Sequence, residues 1–380
     1  MRRLLSPLLA LAVVFTTGVA VGRVTSDGQR TPEPAWTVAG ELARSRAYAR
    51  AIALETGEIL IVGGLDAKDD RVTIATTELF DPVTHRSTVL PGSLLGRVNQ
   101  TLTIGWAGRV VVSGGTEWLG DHWNSVAKVD VFLPWARTWL KASPMIQARS
   151  DHAATALADG RVFVTGGNYN NRLLRSSEIY DPRTDVWLPV APLPRPRTQF
   201  SAATLPDGSV LVAGGFQLDG AMTRTTLIYE LWYDRSVEGP ELREVRLNHS
   251  MVALPGGDLL FFGGERMGAG TAERYSWRDR TFVYAGVLAE PRLVAQGATL
   301  SDGRVLAVGG LPEDRERTRF IPTERAEVWD PGKRAWQILP SAPTKRAYAQ
   351  LIVTDHGVYR LSGVGEDEDP FTTIEELAWR

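Results

Sequence analysis

The chain repeats one pattern of apolar and polar positions. Two short apolar runs flank a polar turn containing glycine, and the second run ends in a glycine pair. Residues 154–167 read ATALADGRVFVTGG and residues 203–215 read ATLPDGSVLVAGG. Asp-Gly permits the positive φ of a tight hairpin turn, and the glycine pair allows the backbone to pass close to a neighbour. Each copy therefore predicts a β-hairpin.

This hairpin recurs in a fixed register. Glycine pairs stand at Gly63-Gly64, Gly114-Gly115, Gly166-Gly167, Gly214-Gly215, Gly263-Gly264 and Gly309-Gly310, with a degenerate seventh pair at Gly363-Val364. An arginine precedes the first glycine of every pair at the same spacing, at Arg46, Arg97, Arg149, Arg197, Arg246, Arg292 and Arg346. Seven copies in one register predict a repeat protein.

Each repeat continues with a third strand and, in most copies, a fourth strand with a large aromatic residue. This residue precedes the next arginine by a constant interval, as Trp187 precedes Arg197. Trp36 precedes Arg46 by the same interval, whereas the last repeat ends after its third strand, TTIEELAWR. The strand around Trp36 is therefore expected to complete the C-terminal repeat.

The pattern predicts an all-β, seven-bladed β-propeller whose N-terminal strand closes the C-terminal blade. A ring closed in this way leaves no unpaired strand where the first and last repeats meet. An open solenoid, the alternative, would not need such a strand.

The glycine pair, the Tyr or Trp before Asp-Pro and the later Trp resemble the kelch repeat, and the resemblance extends from Trp36 to Arg380. It implies a kelch-type propeller, distantly similar to the propellers of galactose oxidase and of sialic-acid mutarotases. Within that resemblance a copper radical oxidase is disfavoured, because its cofactor requires a cysteine and this chain has none. We expect no cofactor and no metal.

The N-terminus has the composition of an export segment. Residues 1–22 begin with Arg2 and Arg3, continue with an apolar run and end in small residues, which predicts a signal peptide. Because the run Leu4–Val21 is close to the length that spans a bilayer, a retained membrane anchor is the alternative.

Residues 23–34 are polar and contain proline, which indicates a flexible linker, and residues 35–380 are expected to form the propeller. The expected location is extracytoplasmic: periplasmic, secreted or membrane-anchored. Membrane contact is expected only through the N-terminal segment, if that segment is not cleaved.

The charge balance excludes one class of partner. The chain has 42 basic and 44 acidic residues, a net charge of −2, so it lacks the excess of positive charge that indicates binding to nucleic acid.

The loops between the second and third strands vary in length and chemistry, and variable loops on a rigid scaffold commonly form binding surfaces. Trp118, Trp123, Tyr169 and Phe216 lie in these loops. The expected partner is a protein or a glycan, which could be acidic.

The candidate binding residues lie where each innermost strand begins. The seven arginines could pair with carboxylates such as Glu78 or Glu178, or some could face an acidic ligand. The second and fourth positions after them are often polar, and strand alternation would place both on the channel side. The candidates at these positions are Tyr48, Arg50, Asn99, Asp151, Gln199, Asn248 and Tyr348.

Catalytic motifs are sparse. His152 and His249 occupy the same strand position in two repeats, but their alternation differs from that of the polar positions, which indicates packing between blades. No nucleophile elbow, phosphate-binding glycine loop or HExxH motif occurs. The predicted function is an exported recognition scaffold. The alternatives are a mutarotase- or lyase-like carbohydrate enzyme using Arg50, Tyr48, Tyr348 and a histidine at the channel mouth, and a structural surface protein.

Overall fold

The computed structural model describes residues 34–66, 69, 71–90, 96–218, 220–264, 270–312 and 321–378. The predicted signal peptide or anchor and nearly all of the predicted linker lie outside these residues. The described part is all-β apart from three short 3-10 helices, Trp106–Gly108, Pro134–Ala136 and Leu231–Tyr233. Seven four-stranded antiparallel sheets form the blades. No helix in these ranges is long and apolar enough to cross a membrane.

The strands follow one another blade by blade. Strand β1 spans Ala35–Glu41. Blade 1 contains β2 (Arg50–Ala53), β3 (Ile59–Val62), β4 (Thr77–Asp81) and β5 (Arg86–Leu90). Blade 2 contains β6 (Thr101–Ile104), β7 (Val110–Ser113), a hairpin of β8 (Thr116–Trp118) and β9 (Trp123–Ser125), then β10 (Val129–Leu133) and β11 (Thr138–Ala142). Blade 3 contains β12 (Ala153–Ala156), β13 (Val162–Thr165), a hairpin of β14 (Asn168–Tyr169) and β15 (Arg172–Leu173), then β16 (Ser177–Asp181) and β17 (Val186–Val190).

The remaining blades follow the same plan. Blade 4 contains β18 (Ser201–Thr204), β19 (Val210–Ala213), β20 (Thr226–Glu230) and β21 (Arg235–Glu238). Blade 5 contains β22 (Ser250–Ala253), β23 (Leu259–Phe262), β24 (Thr271–Ser276) and β25 (Thr281–Val287). The short strand β26 (Arg292–Leu293) precedes blade 6, which contains β27 (Gln296–Thr299), β28 (Val305–Val308), β29 (Leu311–Pro312, paired with β26), β30 (Ala326–Asp330) and β31 (Ala335–Leu339). Blade 7 contains β32 (Gln350–Thr354), β33 (Gly357–Leu361) and β34 (Thr373–Ala378).

Strand β1 closes the ring, as the sequence predicted. The sheet order of blade 7 is β1-β34-β33-β32, and Trp36 lies opposite Leu377 in the antiparallel pairing. The Trp36 indole donates a hydrogen bond of 3.1 Å to the carbonyl of Pro340 in blade 6. The first and last strands of the propeller therefore form one sheet, and neither leaves an open edge at their junction.

The hydrophobic core lies between the blades. In one cluster, Ile59 and Phe80 of blade 1 pack with Tyr359 and Ile374 of blade 7, and all four side chains are buried. Corresponding clusters join the other neighbouring blades. Each sheet is thus apolar on both faces, which explains the continuous apolar runs of the second strands.

The glycine pairs are required where neighbouring blades meet. Both glycines of the six complete pairs have positive φ, and a Cβ on the first would lie 2.4–2.9 Å from the carbonyl oxygen of the next repeat's arginine.

In blade 7 the pairing of Ala347 with Val364 shows that Gly363 corresponds to the second glycine and Ser362 to the first. Assigning Gly363-Val364 as the seventh pair was wrong by one position, because the hairpin of this blade is shorter. Ser362 adopts φ 59° and its hydroxyl donates a 2.6 Å hydrogen bond to the Arg46 carbonyl.

The ring has two distinct faces. The loops between second and third strands and the connections between blades lie on one side, which we call the upper face; backbone bridges such as Ala47–Leu65 and Thr198–Phe216 join them. The turns between first and second strands and between third and fourth strands lie on the opposite side, the lower face. The innermost strands β2, β6, β12, β18, β22, β27 and β32 surround the central channel.

Candidate functional site

Six of the seven repeated arginines form an ion pair, which we call a latch, with a carboxylate on the third strand of their own blade. Arg46 forms a 2.7 Å ion pair with Glu78 and donates to the carbonyls of Gly63 and Thr76. Glu78 also accepts a hydrogen bond from the backbone N–H of Ala43, in the connection that arrives from blade 7. Blades 3, 5 and 6 repeat the pair as Arg149–Glu178, Arg246–Glu273 and Arg292–Glu327. Blade 2 uses Asp130 with Arg97, and blade 7 uses Glu375 with Arg346 and Arg360.

Blade 4 departs from this pattern. Leu227 occupies the position that holds the carboxylate in the other blades, and Arg197 donates only to the carbonyls of Gly214 and Thr225 and to the Thr225 hydroxyl. Among the described residues Arg197 has no ion pair. Burial, with a contribution from Arg195, lowers the pKa of Arg197 to about 10. This blade therefore holds a buried cation without its usual counter-charge.

The arginines lie within the fold and do not reach the surface. Arg46, Arg97, Arg149, Arg197, Arg246, Arg292 and Arg346 are each at most 2% exposed. Their side chains bond to carbonyls and carboxylates, or a hydroxyl, inside the protein. The binding role predicted for these seven arginines stays a prediction, made for side chains that this structure buries beneath the loops. Their other predicted role, pairing with carboxylates, is confirmed for six of the seven.

The second residue after each arginine forms the channel mouth. This set consists of Tyr48, Asn99, Asp151, Gln199, Asn248, Val294 and Tyr348, all with φ between 47° and 59°. The backbone of these residues is left-handed, and they precede the innermost strands, which begin at the fourth residue after each arginine. Strand alternation therefore does not apply between the second and fourth positions, and their shared channel-facing orientation stays a prediction. Seven left-handed residues in register reverse the chain direction into each blade.

The channel mouth is cross-linked around the ring. Backbone N–H groups of Asp151 and Asn248 donate to the carbonyls of Asn99 and Gln199 in the preceding blades. The rings of Tyr48 and Tyr348 meet edge to face at 4.9 Å. Burial raises the pKa of Tyr348 to about 12, with a smaller contribution from the carboxylate of Glu368. Both tyrosines are neutral hydrogen-bonding groups at physiological pH.

Arg50 is the one positively charged residue in the seven innermost strands as the structure describes them. It begins β2, is 3% exposed, and forms no hydrogen bond or ion pair within contact distance among the described residues. Burial lowers the pKa of Arg50 to about 10, and the charge of Asp151 in blade 3 opposes this shift. The corresponding positions in blades 2 and 3 hold Thr101 and Ala153. The channel therefore carries a charge specific to blade 1.

Two hairpins project above blades 2 and 3 and form one platform, which we call the double hairpin. Asn170 at the tip of β14–β15 accepts from the backbone N–H of Ser125 at 2.8 Å and donates its own N–H to the Ser125 hydroxyl. Its side chain also donates to Asn124 at 3.0 Å. Asn170 and Asn171 both have positive φ, so the tip is a tight turn. The two hairpins are held as a single unit.

The double hairpin presents aromatic side chains and arginines. Trp118 and Trp123 pack edge to face at 5.5 Å, and the guanidinium of Arg71 from blade 1 lies 5.6 Å from the centre of the Trp118 ring. Trp123 also packs against the apolar cluster next to the channel mouth. Tyr169 is exposed on the neighbouring hairpin. The structure thus brings together three of the four aromatic residues predicted for this face, while Phe216 lies on blade 4.

The buried histidines pack between blades, as their alternation indicated. The Nε2 of His249 lies 2.7 Å from the Ser201 hydroxyl, and burial lowers the pKa of His249 to about 3. His152 bonds with Thr101 at 3.1 Å, and burial together with nearby arginines lowers its pKa well below the usual value. Both imidazoles are neutral and fully buried. Neither is placed for acid–base catalysis on a ligand.

The donor set does not fit a metal cofactor of the oxidase type. Within the described ranges, no three His, Asp or Glu side chains converge on a point that could hold a metal ion. The two buried histidines lie in different blades and are bonded to hydroxyl groups.

The fold and the repeated latches define a seven-bladed β-propeller, and comparison with known proteins identifies its type. A family model of the kelch motif matches residues 148–194. Kelch-like protein 35 of Mus musculus is 34% identical over 125 residues, which are 33% of this chain and 20% of that protein. The aligned part thus spans about a fifth of that relative. A solved structure of a fungal alcohol oxidase of the AA5 family, in complex with copper, covers 92% of this chain and 76% of its own with a TM-score of 0.71 at 17% identity, which shows the fold alone.

The kelch motif at residues 148–194, the similarity to a kelch-like protein and the seven blades together show a β-propeller of the kelch-repeat type. Kelch propellers bind protein partners, and this architecture is consistent with a protein-interaction scaffold. Sequence reasoning missed Asn170 as the residue that joins the two hairpins. The Asn-Asn dipeptide of "YNNR" was the available signal, because adjacent asparagines favour a tight left-handed turn.

Proposed function

We propose that this propeller is a recognition scaffold that binds a protein partner through the double hairpin and the adjacent channel mouth. One observation carries the proposal: three contacts through Asn170 fix the hairpins of blades 2 and 3 as one surface. A surface that is rigid before binding loses little conformational entropy when the partner arrives. Tryptophan, tyrosine and arginine, which form this surface, are the residues most often found at the energetic centre of protein interfaces.

We further propose that the partner presents an acidic segment to blade 3. Residues 168–176, the upper loop of that blade, contain no acidic residue. Arg172 and Arg175 of this loop and Arg195 of the next connection are exposed, and no ion pair reaches them from the described part of the chain. Arginine forks bind carboxylates in a bidentate manner, so three such guanidinium groups favour an acidic partner.

The test is a comparison of matched variants. Immobilised wild-type protein would capture partners from an extract of the cells that make it, and Trp118→Ala with Tyr169→Ala would be compared directly. Tyr284→Ala with Ile338→Ala is the control, because both residues are exposed on the outermost strands of blades 5 and 6, which do not carry the double hairpin. For a partner then purified, we expect the double-hairpin variant to weaken binding at least about tenfold. Equal binding by the two variants would place recognition elsewhere.

The acidic character of the partner has its own measurement. The affinity of the purified partner should fall as salt is raised, and Arg172→Gln with Arg175→Gln should flatten that dependence. A salt-independent affinity would contradict an acidic segment while leaving the role of the double hairpin intact.

The channel supports a second candidate, a small acidic ligand such as a sugar acid. The observation that favours it is Arg50, a buried cation with no direct partner among the described residues, next to the hydroxyl-bearing Tyr48 and Tyr348. Titration calorimetry with sugar acids and their neutral counterparts would test it. Binding of the acids alone, abolished in Arg50→Gln, supports this candidate, and absence of heat for every acid contradicts it.

A further inference from the structure

The lower face carries aromatic side chains at the tips of its turns. In blades 1 to 6 the turns between third and fourth strands carry a left-handed residue at the same point: His85, Arg137, Asp185, Asp234, Arg280 and Arg334. The residue two positions earlier is the tip of each turn. The six tips are Val83, Trp135, Arg183, Trp232, Arg278 and Gly332.

The fold does not require these tip residues. Arg183 and Gly332 occupy the equivalent tips in blades 3 and 6, so a turn at this point accepts a polar side chain or none. Yet Trp232 is 93% exposed, Tyr233 beside it is 72% exposed and Trp135 is 59% exposed. Large aromatic residues rarely remain in water to this extent without a partner.

The chemistry of these tips fits a lipid interface. Tryptophan and tyrosine are enriched where a membrane meets water, because each has an apolar ring and a polar edge. Arginine can extend its apolar stem along such a surface while its charge stays in the headgroup region. The guanidinium of Arg235 lies 5.0 Å from the centre of the Tyr233 ring, so a cation and an aromatic residue are already combined there.

The chain enters the propeller at the same face. Ala35, the first residue of β1, pairs with Ala378 at the lower end of blade 7, and β1 then runs toward the upper connection that begins after Glu41. The preceding residues must therefore join the fold at the lower face. Only the short segment Gly22–Pro34 separates it from the apolar run Leu4–Val21. Fully extended, that segment reaches about 45 Å, so a retained anchor would hold this face toward the bilayer.

We propose that the lower face lies against a lipid bilayer, with Trp232 and Tyr233 of blade 4 and Trp135 of blade 2 entering the headgroup region. The upper face then points away from the membrane. This inference does not depend on the double hairpin as a binding site, because it rests on different residues.

The absence of cysteine makes the test direct, since one introduced cysteine gives one labelling site. Lys333→Cys reports the lower face and Leu119→Cys the upper face, where both side chains are exposed. The full chain, processed as the cell processes it, would carry an environment-sensitive fluorophore at either site. It would be reconstituted into, or mixed with, vesicles of phosphatidylethanolamine and phosphatidylglycerol containing spin-labelled quencher lipids. We expect quenching at position 333 and none at position 119.

A variant pair separates this proposal from general adhesion. Trp232→Ala with Tyr233→Ala should reduce the vesicle-contacting fraction at position 333 about tenfold, since it removes the exposed rings of the tip. Leu119→Ala with Leu218→Ala removes two exposed apolar side chains from loops of the upper face and should leave quenching at position 333 unchanged. Equal quenching at both labels, none at position 333, or quenching at 333 that survives loss of Trp232 and Tyr233 would each overturn the proposal.

Discussion

Trp36, in the first strand of the propeller, lies directly opposite Leu377 in the last strand. Its ring packs against the apolar cluster shared by blades 6 and 7, and its indole N–H reaches the carbonyl of Pro340. A residue of the first strand thus connects both sides of the final junction. The integrity of the ring depends on contacts between segments that lie far apart along the chain.

This closure makes the first strand essential for stability. Deleting residues 32–45 should expose the edge of β34, lower the melting temperature and promote association through the free edge. The milder change Trp36→Ala should cost about 2–3 kcal/mol of the free energy of unfolding. Thermal unfolding and size-exclusion chromatography measure both effects. Val38→Ala, in the same strand but exposed, is the control and should be near neutral; a deletion variant as stable as the intact chain would contradict ring closure by β1.

The latches predict unequal costs in different blades. Glu178→Ala removes the counter-charge of the buried Arg149 and should cost about 3–5 kcal/mol. Arg197→Met, in the blade that has no carboxylate at that position, should cost about 1 kcal/mol or less, because that cation is already uncompensated. Chemical denaturation of the two variants measures the difference. Similar losses in both would show that the arginine carbonyl contacts, and not the ion pairs, hold the blades.

The buried histidines predict destabilisation in acid. Folding depresses the pKa of His249 to about 3, whereas an unfolded histidine titrates near 6.5. Between these values the unfolded chain binds a proton that the folded protein does not, so stability falls by a few kcal/mol as pH drops from about 6.5 toward 3. His249→Phe should remove part of this slope.

Phenylalanine is a suitable replacement because Phe200 occupies the equivalent site of blade 4, against the same kind of glycine pair. Denaturation curves between pH 4 and 7 would be compared for wild type, His249→Phe and the exposed-site control His122→Phe. An unchanged slope in His249→Phe would mean that this imidazole does not contribute to acid sensitivity.

Two turn glycines separate backbone strain from steric collision. Gly160 and Gly208 occupy the same turn in neighbouring blades, with φ values of 82° and 83°. A Cβ on Gly208 meets nothing within 4 Å, whereas on Gly160 it would lie 2.8 Å from the Trp106 Cα. Gly208→Ala should therefore cost about 1 kcal/mol from φ alone, and Gly160→Ala distinctly more. Equal costs from calorimetry would show that the Trp106 turn moves away freely.

The sequence by itself determined the repeat, the blade number and the closing strand. Local sequence patterns predict these features: repeated apolar runs, glycines at turns that need positive φ, and aromatic residues at a fixed distance before most of the arginines. Spacing along the chain is enough to count such units and to recognise that the last one lacks a strand, because each blade is built from consecutive residues.

The tertiary structure decided what the repeated residues do. The burial of the arginines, the counter-charge missing beside Arg197 and the hydrogen bond from Ser362 to the Arg46 carbonyl depend on contacts between blades or between strands far apart in the chain. The left-handed residues of the channel mouth interrupt the alternation from which their orientation was inferred. The double hairpin and the exposed tips of the lower face became visible only when blades were placed side by side, since no spacing rule specifies which loops of different repeats will touch.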